Sequence, residues 1–182
     1  MQIRGKGVKN LGHALWQALT GRAYSSMEKA TPQQATQVMI DRWGSTKAVA
    51  QKLGVSVRTV QRWKSGQQAP SKRNIEKFNA AHREARLTPG RREQMAGAGT
   101  ASGPDKSQAG TGGLAIFGTI RVSEDERERW INPGTRMTPA ESDDIINAMI
   151  QQGPDAAAAA LNNVIGRYVP GMQVIEIQEI DY

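Results

Sequence analysis

Residues 45–69, STKAVAQKLGVSVRTVQRWKSGQQA, constrain this chain more tightly than any other stretch. They hold two short apolar stripes at helical spacing, separated by a single turn. Ser45 is placed to cap a first helix, because its hydroxyl can accept a hydrogen bond from an unpaired first-turn amide. Ala48, Val49, Ala50 and Leu53 give that helix an apolar side. Gly54 follows, where a chain leaving a helix needs positive φ, a conformation that Gly takes at little cost. Ser56 is placed to cap a second helix, with Val57, Val60 and Trp63 at spacing three down one face. Ala50 falls where the two helices must approach closely, so its small side chain fits the frame.

This frame predicts a helix-turn-helix over residues 45–66. On the second helix Arg58, Arg62 and Ser65 point away from the apolar stripe, with Thr59 and Gln61 flanking them. Arg and Gln suit base edges in the major groove, and Thr and Ser reach bases or phosphates. Lys64, Lys72 and Arg73 suit backbone phosphates. The expected DNA-binding set is Lys47, Ser56, Val57, Arg58, Thr59, Gln61, Arg62, Lys64, Ser65, Lys72, Arg73 and Lys77. An ordinary solvated helical hairpin is the competing reading. It is the weaker one, because apolar spacing, turn glycine, caps and basic outer face all agree.

The charge distribution supports that reading. Residues 1–93 hold 18 Lys and Arg against 5 Asp and Glu, whereas residues 94–182 hold 6 against 12. A basic half and an acidic half imply two modules with different partners. The basic half is the one that carries the motif, as attraction to phosphate requires. The 182 residues contain no cysteine and only His13 and His82 as histidines. That composition disfavours a thiolate metal site, a disulfide framework or a catalytic triad, so no metal, cofactor or catalytic residue is expected. Aromatic content is 5%, and no apolar run is long enough for a bilayer. A non-enzymatic protein of the bacterial cytoplasm, associated with the nucleoid, is the expected setting.

Ahead of the motif, Val8, Leu11, Leu15, Trp16 and Leu19 mark a helix over residues 8–20, although Gly12 weakens it. Residues 22–30 read as a loop, and Thr31-Pro32 opens a helix ending at Gly44. Trp16, Trp43 and Trp63 are expected to share the core of one helical bundle. Behind the motif, Ser71 starts a helix with Ile75, Phe78, Ala81 and Ala85 inside and Lys72, Arg73, Lys77, Arg83 and Arg86 outside. Residues 94–113 read as a linker, since 14 of the 20 are Gly, Ala, Ser or Thr.

Residues 114–122, LAIFGTIRV, read as a strand in which Gly118 marks a bulge. The run EDERER then reads as a solvated turn or short helix. Thr138 and Glu141 form a capping box for one helix, and Gly153-Pro154-Asp155 opens another. Residues 172–182 are a terminal strand in which Ile175 and Ile177 alternate with Glu176 and Gln178. The expected fold class is therefore a mainly α helix-turn-helix bundle over 1–93, a flexible linker over 94–113, and a small α+β strand-helix-helix-strand module over 114–182. Two strands alone are marginal, so homodimerisation through 114–182 is expected.

The motif GSTKAVAQKLGVSVRTVQRWKSGQQAPSK, with the acidic tail VIEIQEIDY, resembles the telomere terminal proteins (Tpg) of linear actinobacterial replicons. The frame is shared with repressor-like, transposase and excisionase units. The resemblance implies binding to replicon ends, attachment to a DNA 5′ end through a hydroxyl side chain, and priming of a replication polymerase. Thr119, just after Phe117-Gly118, is the attachment residue it implies. Read from the residues alone, Thr119 is a strand residue. The sequence thus predicts a protein that binds double-stranded DNA sequence-specifically, as a dimer, at replicon ends or at an operator. A terminal protein and a plain transcriptional regulator are the two finer forms of that expectation. A scaffold whose helix-turn-helix contacts only protein is the third reading.

Overall fold

A computed structural model describes residues 10–90, 115–133 and 137–181. In chain order the elements are α1 (Leu11–Thr20), α2 (Tyr24–Glu28), α3 (Pro32–Trp43), α4 (Thr46–Leu53), α5 (Val57–Ser65), α6 (Lys72–Arg86), β1 (Ala115–Val122), β2 (Asp125–Ile131), α7 (Pro139–Gln151), α8 (Pro154–Tyr168) and β3 (Met172–Asp181). They form two compact units. One is Tyr24–Leu87, holding α2 to α6; the other joins α1 to the elements from β1 onward. The expected linker over 94–113 lies outside the described residues.

The helical unit follows its punctuation closely. Thr31 and Gln34 form a capping box at the start of α3. Gly44, with φ 85°, ends that helix and returns its N–H to the Ile40 carbonyl. The core collects Ala35 and Met39 from α3, Val49, Ala50 and Leu53 from α4, Val60 and Trp63 from α5, and Phe78, Ala81 and Ala85 from α6. Trp43 packs at its margin. Trp63 is 1% exposed, and its ring meets Phe78 edge-on at 5.2 Å between centroids.

In the mixed unit the strands form an antiparallel sheet of order β2-β1-β3. Ile116, Ile120, Ile177 and Ile180 are buried in it. α1 and α8 pack on β3 and on each other, and α7 packs on α8. Thr138 and Glu141 complete the expected capping box of α7. Gly118 does mark an irregularity: the β1–β3 register shifts between Phe117 and Gly118 and again between Thr119 and Ile120. A Cβ on Gly118 would lie 1.9 Å from the Glu176 carbonyl oxygen, so only Gly fits there.

At the level of the fold, the structure departs from the sequence reading in four places. Trp16 does not share a core with Trp43 and Trp63, because α1 packs with α8 and β3 in the other unit. Gly12 explains this: a Cβ there would lie 2.0 Å from the Pro154 carbonyl oxygen, so its absence lets α1 and α8 meet backbone to backbone. Residues 24–28 are the short helix α2, not loop. The EDERER run is strand, not turn or helix, so the module is hairpin, two helices and strand. Its charges pair along and across the ladder, Arg121 with Glu126, and Asp125 with both Arg127 and Arg129. Finally, Ile175 does not join Ile177 inside. The register places Val174 opposite Ile120, Ile177 opposite Gly118 and Ile180 opposite Ile116, a spacing of three forced by the two irregularities. Ile175 is left 37% exposed, whereas Ile177 is 2% exposed.

Candidate nucleic-acid interface

The interface is built from the joint between α4 and α5. Ser45 Oγ accepts from the Ala48 amide at 3.1 Å and so starts α4. Gly54, with φ 68°, ends α4 by returning its N–H to Ala50 and Gln51, and the Val55 amide donates to the Ala50 carbonyl at 3.0 Å. Ser56 Oγ accepts from the Thr59 amide at 3.1 Å and starts α5, and it lies 2.9 Å from Thr59 Oγ1. This orders Ser56 and Thr59 against each other at the N-terminus of α5.

Val49, Ala50 and Leu53 then press α4 onto Val60 and Trp63 of α5. Lys52 locks α4 to its neighbours, with its Nζ 2.8 Å from Glu84 Oε1 and 5.0 Å from the centre of the Trp43 ring. Lys52 is thus held by protein, while Lys47 in the first turn of α4 is exposed.

With Val60 and Trp63 turned inward, helical geometry fixes what α5 shows outward. Arg58, Gln61, Arg62 and Ser65 fall within an arc of roughly 100° opposite the buried pair. All four are exposed, and so is Lys64. Val57, expected on the inner stripe, is 38% exposed. The helix begins there, one residue after its cap, and the core does not reach it. Thr59 is half-buried, and Ser65 Oγ donates to the Arg62 carbonyl at 3.2 Å. On α6, Lys72, Arg73 and Lys77 are exposed in the first two turns. All twelve expected residues therefore lie in one compact unit, eleven of them exposed.

The electrostatics are one-sided. Between Asp41 and Glu76 the chain carries eight basic residues and no acidic one. None of α4, α5 or α6 has an acidic residue in its first turn. Arg58, Lys72 and Arg73 sit instead at positive helix ends, where the macrodipole disfavours a cation. α7 and α8 show the ordinary arrangement, with Glu141 and Asp155 in their first turns. The helical unit forgoes a helix-stabilising preference that the mixed unit keeps. An anion at those helix ends would reverse the penalty, and a phosphate backbone supplies one.

Sequence reasoning misplaced the far end of α6. Arg83, expected outside, is 7% exposed and hydrogen-bonds the Tyr24 phenol of α2. Beside it His82 is 3% exposed. Burial, then the neighbouring Arg86 and Arg83, push the imidazole pKa down to about 4. The signal was absent from the sequence because the covering helix, α2, has only five residues.

Thr119 stands mid-strand in β1, opposite Glu128 on β2 and Glu176 on β3. No cluster of three or more His, Cys, Asp or Glu able to hold a metal occurs among the described residues. No helix among them is long and apolar enough to cross a membrane.

Residues 44–82 match the helix-turn-helix family. The match opens at the glycine that ends α3 and closes within α6, so it covers the whole joint described above together with Lys72, Arg73 and Lys77. No curated protein and no solved structure matches the chain. Residues 44–82 are thus a helix-turn-helix domain, which supports DNA binding by the basic unit.

Proposed function

We propose that the chain recognises a specific duplex DNA sequence by placing α5 in the major groove, and acts by binding rather than by catalysis. The observation that carries this reading is the exposed arc of Arg58, Gln61, Arg62 and Ser65, presented by a helix whose other side is locked by Val60 and Trp63. Arg58 and Arg62 read guanine edges, Gln61 reads an adenine edge, and Val57 is placed for a thymine methyl. Lys47, Lys64, Lys72, Arg73 and Lys77 hold phosphates and set the register.

The mixed unit serves as the dimerisation module. β2 and β3 are both edge strands, and a second copy would cover the exposed Ile175 edge. A regulator acting at an operator in the bacterial cytoplasm is the form of this function that the residues support best.

The covalent priming implied by the terminal-protein resemblance has weaker support. Thr119 is flanked across both ladders by carboxylates, and these oppose the approach of a nucleotide triphosphate. Incubation with a polymerase, labelled deoxynucleotide and a telomeric template is expected to leave the protein unlabelled. The binding function itself is tested by gel shift at fixed salt. Arg58→Ala and Arg62→Ala are each expected to weaken specific binding by about 1–3 kcal/mol. Unchanged affinity and unchanged specificity in both variants would overturn it.

A further inference from the structure

The pleat of the sheet divides its residues between two faces, and the two faces differ in kind. Ile116, Gly118 and Ile120 of β1 stand beside Ile180, Ile177 and Val174 of β3, and the isoleucines among them are buried. The other face carries Phe117 and Thr119. Phe117 has Trp130 on one side and Glu179 on the other, and Thr119 has Glu128 and Glu176. The Phe117 and Trp130 rings meet at 5.4 Å between centroids, yet both side chains are only half-buried. Gln178 reaches across β1 and donates to Glu128 Oε1 at 2.6 Å. A side-chain hydrogen bond that spans the sheet from β3 to β2 leaves no room for a helix above it, so this face is open.

Two observations define what would fit there. The first is charge. The Arg121 guanidinium is taken by Glu126, and Gln178 brings Glu128 a donor but no charge. Among the described residues, Glu128, Glu176 and Glu179 enter no ion pair. The second is the aromatic pair. A half-exposed indole attracts a cation, and a planar guanidinium both stacks on a ring and pairs with carboxylates. Another copy of the same face would set carboxylate against carboxylate, so the occupant is not the chain itself.

We propose that the open face of the sheet docks an arginine-bearing segment of a partner protein. One guanidinium lies on the Phe117–Trp130 pair within reach of Glu179, and a second lies between Glu128 and Glu176. The two rows are two residues apart along β1, roughly 7 Å, which matches alternate side chains of an extended peptide. The surface rests neither on the DNA-binding reading nor on pairing of the sheet edges.

The test is fluorescence anisotropy at low salt with the full chain, purified free of nucleic acid. The labelled probe is a peptide of four Arg-Gly repeats, and four Lys-Gly repeats are the control of equal charge. The arginine peptide is expected to bind at least about threefold more tightly than the lysine peptide. Trp130→Leu should abolish that preference. Should this variant fail to fold, the double variant Glu176→Gln and Glu179→Gln keeps side-chain shape and should weaken binding at least about fivefold. No binding of the arginine peptide by about 1 mM, equal binding of the lysine peptide, or unaltered binding by the double variant overturns the proposal.

Discussion

Single residues decide the fold at points where a methyl group or a proton has no room. Gly118 is the sharpest case, since a Cβ there would collide with the Glu176 backbone, which cannot swing away as a flexible side chain would. Gly118→Ala is expected to destabilise the mixed unit by about 1–3 kcal/mol. Urea denaturation checks this, and an unchanged midpoint would contradict the close approach. His82 makes the complementary case for a proton. Its pKa falls from the ordinary 6.5 to about 4 in the fold, so above pH 6.5 the ring is neutral in both states and stability is complete. As pH falls from 6.5 towards 4, the unfolded chain takes up a proton that the folded chain does not bind. Stability is expected to drop across that window by up to about 3 kcal/mol, and no further below it on account of this group. His82→Asn should flatten the profile, and a wild-type profile already flat between those values would contradict the burial. Residues of this kind were half legible in the sequence. Gly118 announced a bulge because a glycine inside a β-branched run has few other reasons to be there. Arg83 and His82 gave no such sign, because helical spacing places a residue on a face without saying what covers that face.

At the scale of elements, legibility followed local chemistry. Ser45, Gly54 and Ser56 act through their own side chains or φ angles on amides within a few residues, so the α4–α5 joint could be read directly. β2 could not. Its alternating charges suit i,i+4 helical pairs as well as a ladder, and the choice is made by β1, whose residues it faces in register. β3 shows a related limit, because strict alternation predicts two inward isoleucines and the irregularities displace one of them. The exposed cations of α6 are likewise an element-scale feature, and the proposed function gives them phosphates rather than bases. Replacing Lys72 or Lys77 by Ala should weaken binding to all sequences alike. Each substitution should reduce the slope of log affinity against log salt by about 0.9. A change of sequence preference with an unaltered slope would contradict the phosphate role.

The whole molecule joins a strongly basic unit to one that is close to neutral. Tyr24–Leu87 holds 12 Lys and Arg against 4 Asp and Glu, while residues 1–23 and 88–182 together hold 12 against 13, the acidic excess lying in residues 115–182 with 5 against 11. The oppositely charged halves of the sequence were visible in composition, but the true partition was not, because α1 belongs by packing to the unit that follows it much later in the chain. On the proposed reading the basic unit binds DNA, and the other unit, with its two sheet edges, binds a second copy. The claim on which all this depends is that α5 reads a specific sequence. Selection from random duplex DNA at a stated salt concentration tests it most directly. A short enriched consensus is expected, arranged as two inverted half-sites if the mixed unit dimerises, and lost when Arg58 and Arg62 are both replaced by Ala. No enrichment above bulk DNA, or a consensus that survives the loss of both arginines, would contradict it.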